Sequence, residues 1–224
     1  MTAKGIDKKK ILIVHAGMLF AELGFDRVTT RMIADKAGVR LSAIHYHFKS
    51  KEDLYIEAFR YAHDKDNRIN FLDVYSENPE LGKTPAGQAE IIRTTVLRYF
   101  RNIFNPQRSS WEMQLLVREI VTPSSALPRL AKTFIQSNVQ NSEKFCQMIR
   151  PDMDKDEAMI WADTLFSHLF LYILAQRHIE EVRGKEWLNE QFFFKAAQMI
   201  ARFMILELDL PLPEDLKKRS SRFV

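Results

Sequence analysis

An all-α fold is what this sequence predicts, on three observations. Apolar residues recur at three- and four-residue spacing along the whole chain, the period of a helix with one buried face. Ser, Thr, Pro and Gly stand where such segments begin and end. No alternating apolar run bounded by hairpin turns occurs, and no internal repeat period.

The first helix is expected from about Lys8 to Leu23, with Leu12, Ala16, Leu19, Phe20 and Leu23 on one stripe and Gly24-Phe25 closing it. His15 stands in it with no second ligand at helical spacing and reads as a packing or surface residue. A hydroxyl pair, Thr29-Thr30, can cap a second, short helix carrying Ile33, Ala34 and Ala37. Gly38 ends it, because a glycine just past the last turn takes the left-handed conformation that reverses the chain. A third short helix follows, with Ile44 and Phe48 inward and Arg40, Leu41, Ser42, Ala43, His45 and His47 nearer the outside. Helix, glycine turn and second helix form a helix-turn-helix, whose second member is built to enter the DNA major groove.

Ser50-x-x-Asp53 has the capping-box pattern and opens a fourth helix, with Leu54, Ile56, Ala58, Phe59 and Ala62, running to about Phe71. Lys51 is out of place there, since a cation in the first turn opposes the helix dipole; a phosphate oxygen beside it would supply the reason, the alternative being an indifferent exposed lysine. His63-Asp64-Lys65-Asp66 lacks the convergent spacing of metal ligands and reads as a solvated face. Residues 76–87 read as a loop; Thr84 caps and Pro85 opens the next helix, to about Phe104. Ser109-x-x-Glu112 is a second capping box, opening a segment that stops before Pro123. Ser124-Ser125 cap a helix from Leu127 to Ile149.

Residues 158–175 are apolar on nearly every face, but Asp163 and His168 inside the run and charges at both ends exclude a membrane span. Such a helix needs cover on all sides, one from its own core and one from a second subunit. The last helix, about Asn189 to Leu208, is similar, and Pro211 and Pro213 stop it before a basic tail at 217–224.

Charge is uneven along the 224 residues: residues 1–60 carry 11 Lys and Arg against 7 Asp and Glu, and the remainder 22 of each sign. The whole excess of +4 lies in the first quarter, as suits a head that meets phosphate. The single cysteine, Cys146, permits no intrachain disulfide and reads as a small buried hydrophobe. The basic N-terminus is followed by an amphipathic segment, not the uniform apolar core of a signal peptide, so a cytoplasmic location is expected. No nucleophile-base set, paired catalytic carboxylates or metal spacing is visible, so neither enzymatic activity nor a cofactor or metal is expected.

Leu12–Phe25, Thr29–Val39 and especially Ala43-Ile44-His45-Tyr46-His47-Phe48-Lys49-Ser50-Lys51-Glu52-Asp53-Leu54 resemble the N-terminal domain of TetR/AcrR-family transcriptional regulators. More narrowly, Arg118-Glu119 followed by Pro123-Ser124-Ser125-Ala126-Leu127 resembles the C-terminal domain of the CecR-type branch. The resemblance implies a three-helix DNA-binding domain, here residues 1–53, and a larger helical regulatory domain, residues 54–224. It also implies a ligand pocket in that larger domain and homodimerisation through the last two long helices. It implies phosphate contacts at Thr29 or Thr30 and at Lys51, and DNA contacts from Arg40, Leu41, Ser42, Ala43, His45, Tyr46 and His47. Arg40 departs from the family pattern, which has Ser, Thr or Asn there. Either the cap moves to another group, or Arg40 gives up a local hydrogen bond for reach to phosphate or guanine.

The expected activity is that of a homodimeric regulator, a repressor released from a palindromic operator by a small molecule. Phe100, Phe104, Trp111, Met113, Phe134, Phe145 and Met148 are candidate pocket residues, with Arg118, Glu119 or His168 for polar contacts, although a Met and aromatic stripe at helical spacing is more often ordinary core. The alternative is a ligand-independent DNA-binding protein whose C-terminal body binds a protein partner.

Overall fold

The computed structural model describes residues 8–63 and 69–217. The basic tail beyond Lys217 and residues 64–66 of the acidic-basic run lie outside the described residues. Every regular element among the described residues is helical. The chain divides into two compact units, the first built from residues 8–63 and 107–136 and the second from 69–106 and 137–217.

In the first unit, α1 (Lys8–Leu23), α2 (Thr30–Ala37), α3 (Leu41–His47) and α4 (Lys51–His63) come from the N-terminal stretch. They are joined by α7 (Ser110–Val121) and the short α8 (Leu127–Leu130), which continues into a π-turn at Ala131–Ile135. The expected stripes are buried: Leu12, Ala16 and Phe20 of α1, Ile33 of α2, Ile44 of α3 and Leu54 and Ala58 of α4 are each at most 1 % exposed. Phe20, Phe25 and Tyr55 form an edge-on aromatic cluster, with Tyr55 centred 4.9 Å from Phe20 and 5.0 Å from Phe25. α7 lies against both α1 and α4. The close approach depends on Gly17, because a Cβ there would lie 2.2 Å from the Trp111 ring. The packing unit therefore extends past residue 53 and takes in a distant stretch, because α1 and α4 each have a face that α7 covers.

The second unit holds α5 (Phe71–Glu77), α6 (Pro85–Ile103), α9 (Gln136–Ile149, whose first residue belongs to the first unit), α10 (Lys155–Leu174), α11 (Gln176–Arg183), α12 (Glu190–Glu207) and α13 (Glu214–Lys217). Its core centres on Phe71, stacked on Phe145 at 5.2 Å and tilted on Trp161 at 5.1 Å. The indole of Trp161 donates to the Met204 carbonyl at 2.9 Å, tying α10 to α12.

Three sequence expectations are corrected here. The fourth helix does not run to Phe71: α4 is described only to His63, and Asn70 starts α5 with a reciprocal capping box to Asp73. Ser109 makes no capping bond; Glu112 is instead drawn inward to a buried ion pair with Arg108 at 3.3 Å. A 3-10 turn, Pro79–Lys83, occupies part of the expected loop. Thr84 does cap α6, accepting from the Gly87 N–H at 3.1 Å. No single helix among the described residues is long and apolar enough to cross a membrane.

Candidate nucleic-acid interface

The helix-turn-helix takes its shape from short-range bonds. Thr29 Oγ1 accepts from the Met32 N–H at 3.2 Å and so caps α2. Gly38 sits at φ 64° in the left-handed region, and the Gly38 and Val39 N–H groups close the helix on the Asp35 and Ala34 carbonyls. Ile44 and Phe48, 1 % and 4 % exposed, anchor α3 to the core. Its opposite face is then forced outward: Arg40, Leu41, Ser42, His45 and Tyr46 are exposed, and Ala43 and His47 half-buried. Tyr46 is 85 % exposed. Its ring meets that of His47 edge-on at 4.9 Å and is otherwise in water.

Arg40 occupies the N-cap position of α3 with no side-chain capping bond. Both alternatives for its departure, a cap supplied by another group or reach toward DNA, share this absence of a local bond. Thr30, half-buried, is the first residue of α2 beside Thr29. Lys51 has a local reason for its place. Its ammonium donates to the Phe25 and Val28 carbonyls at 3.0 and 3.1 Å and lies 4.1 Å from the centre of the Phe25 ring. Those partners stabilise the cation where the dipole of α4 does not, so a phosphate is not needed to explain it.

The residues proposed for a ligand pocket divide between the two units. Phe100 and Phe104 line a groove of about 570 Å³ in the second unit, with Leu97, Arg101, Phe193 and Phe194. Phe104 stacks on Phe193 at 3.8 Å. Phe145 is instead committed to the core between Phe71 and Trp161. His168 Nδ1 donates to the Thr164 carbonyl of its own helix at 2.7 Å. Trp111, Arg118 and Phe134 belong to the first unit, where Trp111 stacks on Tyr61, Phe134 meets Phe59 and His63, and Arg118 bonds carbonyls. Helical spacing predicts which face is apolar but not which neighbour fills it.

A second set of contacts was not predicted. Arg118 donates from Nε to the Ala21 carbonyl at 2.9 Å and from Nη2 to that of Glu22 at 3.0 Å, closing the C-terminal end of α1. Glu119, 4 % exposed, accepts from the Tyr55 hydroxyl of α4 and from the N–H and hydroxyl of Ser124 at 3.3 and 3.1 Å. Burial, and then the Glu119 carboxylate, raises the Tyr55 phenol well above its ordinary range. Ser125 donates to Asp26. Arg129 donates to Ser50 Oγ at 3.0 Å and to Asp53. The signal for these residues was the Arg-Glu…Pro-Ser-Ser run itself, which resemblance alone had marked.

The glycine turn and the exposed outer face of α3 give the geometry of a helix-turn-helix, on a chain whose described elements are all helical. Residues 12–58 match the model of the bacterial regulatory proteins, tetR family, so the helix-turn-helix stretch is similar to that family's N-terminal domain. A curated relative, the HTH-type transcriptional dual regulator CecR of Shigella flexneri, is 35 % identical over 129 residues. That match covers 56 % of this chain and 57 % of the relative, so the chain spans a little over half the length of the relative it matches. Among solved structures, tylp, a TetR regulator from Streptomyces fradiae, is similar with a TM-score of 0.56 at 17 % identity, covering 96 % of this chain and 92 % of that one. A protein from Mesorhizobium loti assigned to the same family is similar with a TM-score of 0.52 at 17 % identity, covering 92 % and 98 %. At these identities the structures speak for the fold alone.

Proposed function

We propose that the chain is an operator-binding transcriptional regulator, acting as a homodimer in the cytoplasm and released from DNA by a small molecule. The observation that carries the reading is the α3 face from Arg40 to His47, with Tyr46 in water, in a TetR-family domain. Seven residues of helix span only about 10 Å, so one head reads a few base pairs and two are needed. Twofold symmetry then gives a palindromic operator with half-sites about 34 Å apart. Arg40, Leu41, Ser42, Ala43, His45, Tyr46 and His47 form the reading face. Thr29, whose hydroxyl proton is not used by its cap, Thr30 and the remaining N–H of Lys51 are the phosphate donors.

The second copy is proposed to cover the outer stripes of α10 and α12. Ile160, Phe170, Leu171 and Leu174 recur at helical spacing on α10 and are exposed, as are Met199, Phe203 and Leu206 on α12. The groove beside Phe100 and Phe104 is of the size of a small-molecule site and supports release by a ligand over the protein-partner reading. The regulatory action proposed is repression, relieved when ligand favours a conformation with the heads at the wrong separation. The likeness to a protein described as a dual regulator leaves room for activation at other sites.

Tyr46→Ala tests the reading. It is expected to weaken binding to an operator duplex by about tenfold or more while leaving dimers intact in sedimentation. Unchanged affinity in a gel shift would remove Tyr46 and the α3 face from the interface.

A further inference from the structure

The contacts of α7 and α8 grip both flanks of the helix-turn-helix. Asp26, held by Ser125, lies in the turn between α1 and α2, three residues before the Thr29 cap. Ser50, held by Arg129, lies three residues after the end of α3, and its hydroxyl also caps α4 by accepting from the Asp53 N–H at 3.1 Å. The two gripping residues are four apart in sequence and reach opposite ends of the reading motif. Between them, the buried Glu119 fixes the loop that carries Ser125, through Ser124 on one side and Tyr55 of α4 on the other.

The grip is poorly explained as a contribution to stability. Ser125 and Asp26 are exposed, and the Arg129 side chain is 46 % exposed against 24 % for Asp53, so these bonds are partly screened by water and add modestly to folding. Geometry is a different matter. The Arg129 guanidinium is a planar fork, and it meets Ser50 Oγ with one nitrogen and Asp53 with the other. Such a two-point contact fixes the angle at which α4 begins, and with it the turn leaving α3.

We propose that Ser125 and Arg129 are positioning residues for operator reading: without touching DNA, they hold the two ends of the helix-turn-helix on the α7–α8 platform. This rests on the operator-binding reading above. Sequence discrimination depends on the angle and depth of α3 in the groove, whereas affinity for arbitrary DNA depends on charge. Loss of the grip therefore lowers specific affinity and spares non-specific affinity.

The test uses the full-length chain and two probes, a duplex that the wild-type protein enriches from a random-sequence pool and a mixed-sequence duplex of equal length. Affinities of the wild type, Arg129→Ala, Arg129→Lys and Ser125→Ala are measured at one salt concentration, with helicity and oligomeric state as controls. Arg129→Ala and Arg129→Lys are both expected to bind the enriched duplex about five- to tenfold more weakly and the mixed duplex within about twofold of wild type. Ser125→Ala is expected to change in the same direction by about threefold.

Recovery by lysine of a loss that alanine inflicts on both probes would mean a direct phosphate contact and overturn the proposal. So would an unchanged ratio of the two affinities, or a loss of both together with helicity. If the wild type enriches no sequence, operator reading itself fails and carries this inference down with it. That result is distinct from an enriched sequence whose binding ignores Arg129.

Discussion

Glu119 is the buried polar centre of the first unit, and replacing it with alanine is expected to cost about 3 kcal/mol of stability. The figure follows from its three partners. Tyr55 is 1 % exposed, so its hydroxyl is left without this acceptor in the interior, a loss of about 1–3 kcal/mol. The two bonds from Ser124, at 3.3 and 3.1 Å, add about 0.5–1.5 kcal/mol each at most. For a protein of this size the loss converts to about 6–12 °C in Tm, read by calorimetry or far-UV circular dichroism. Glu119→Gln keeps an acceptor and is expected to lose about half as much. A double-mutant cycle of Glu119→Gln with Tyr55→Phe is expected to show coupling of about 1 kcal/mol. If Glu119→Ala melts within about 1 °C of the wild type, equivalent to under 0.5 kcal/mol, the carboxylate does not hold α7 to α4.

Three further outcomes are expected. Gly17→Ala, although alanine favours helix, is expected to destabilise by about 1–3 kcal/mol, because its Cβ would meet the Trp111 ring at 2.2 Å; a raised Tm would contradict that packing. Burial, and behind it Arg108, lowers His63 from its ordinary value to about 4. Between about pH 6.5 and pH 4 the unfolded chain takes up the proton first, so stability falls as pH falls through that window and levels off below it. His63→Gln is expected to flatten this part of the pH profile by on the order of 2 kcal/mol, measured by urea unfolding, and an unaltered slope would show that His63 titrates freely. Burial raises the Cys146 thiol to about 11, so it is expected to resist a thiol-specific dye at pH 7 until denaturant is added; prompt labelling of the native protein would contradict its burial.

What could be read from the sequence was local. Leu12, Phe20, Ile33, Ile44 and Phe48 lie at spacings that identify a buried face, and each is buried. Gly38 and Thr29 signalled their turn and cap through chemistry within four residues of themselves. The exposed α3 face follows from the same arithmetic, since burying Ile44 and Phe48 turns Arg40, Leu41, Ser42, His45 and Tyr46 outward.

What could not be read was set by contacts distant in the chain. The dipole of α4 disfavours Lys51 in its first turn, and the sequence does not show which protein groups offset that. The carbonyls that hold it belong to Phe25 and Val28, and no spacing rule connects them. The partners of Arg118, the Ala21 and Glu22 carbonyls, lie nearly a hundred residues earlier, beyond the reach of any spacing argument. The Ser109 capping box failed at short range, because Glu112 pairs in the interior with Arg108, four residues earlier. Phe145 lies in the core between Phe71 and Trp161, the ordinary place for an aromatic on such a stripe, and His168 bonds the Thr164 carbonyl of its own helix.

The central claim is that two copies of α3 read one twofold-symmetric site. Selection of bound duplexes from a random-sequence pool by the full-length wild-type protein tests it most directly. The account predicts an enriched inverted repeat with half-site centres about one helical turn, ~34 Å, apart, whose enrichment is lost with Tyr46→Ala. Enrichment of no sequence, or of a motif that Tyr46→Ala enriches equally well, would contradict it.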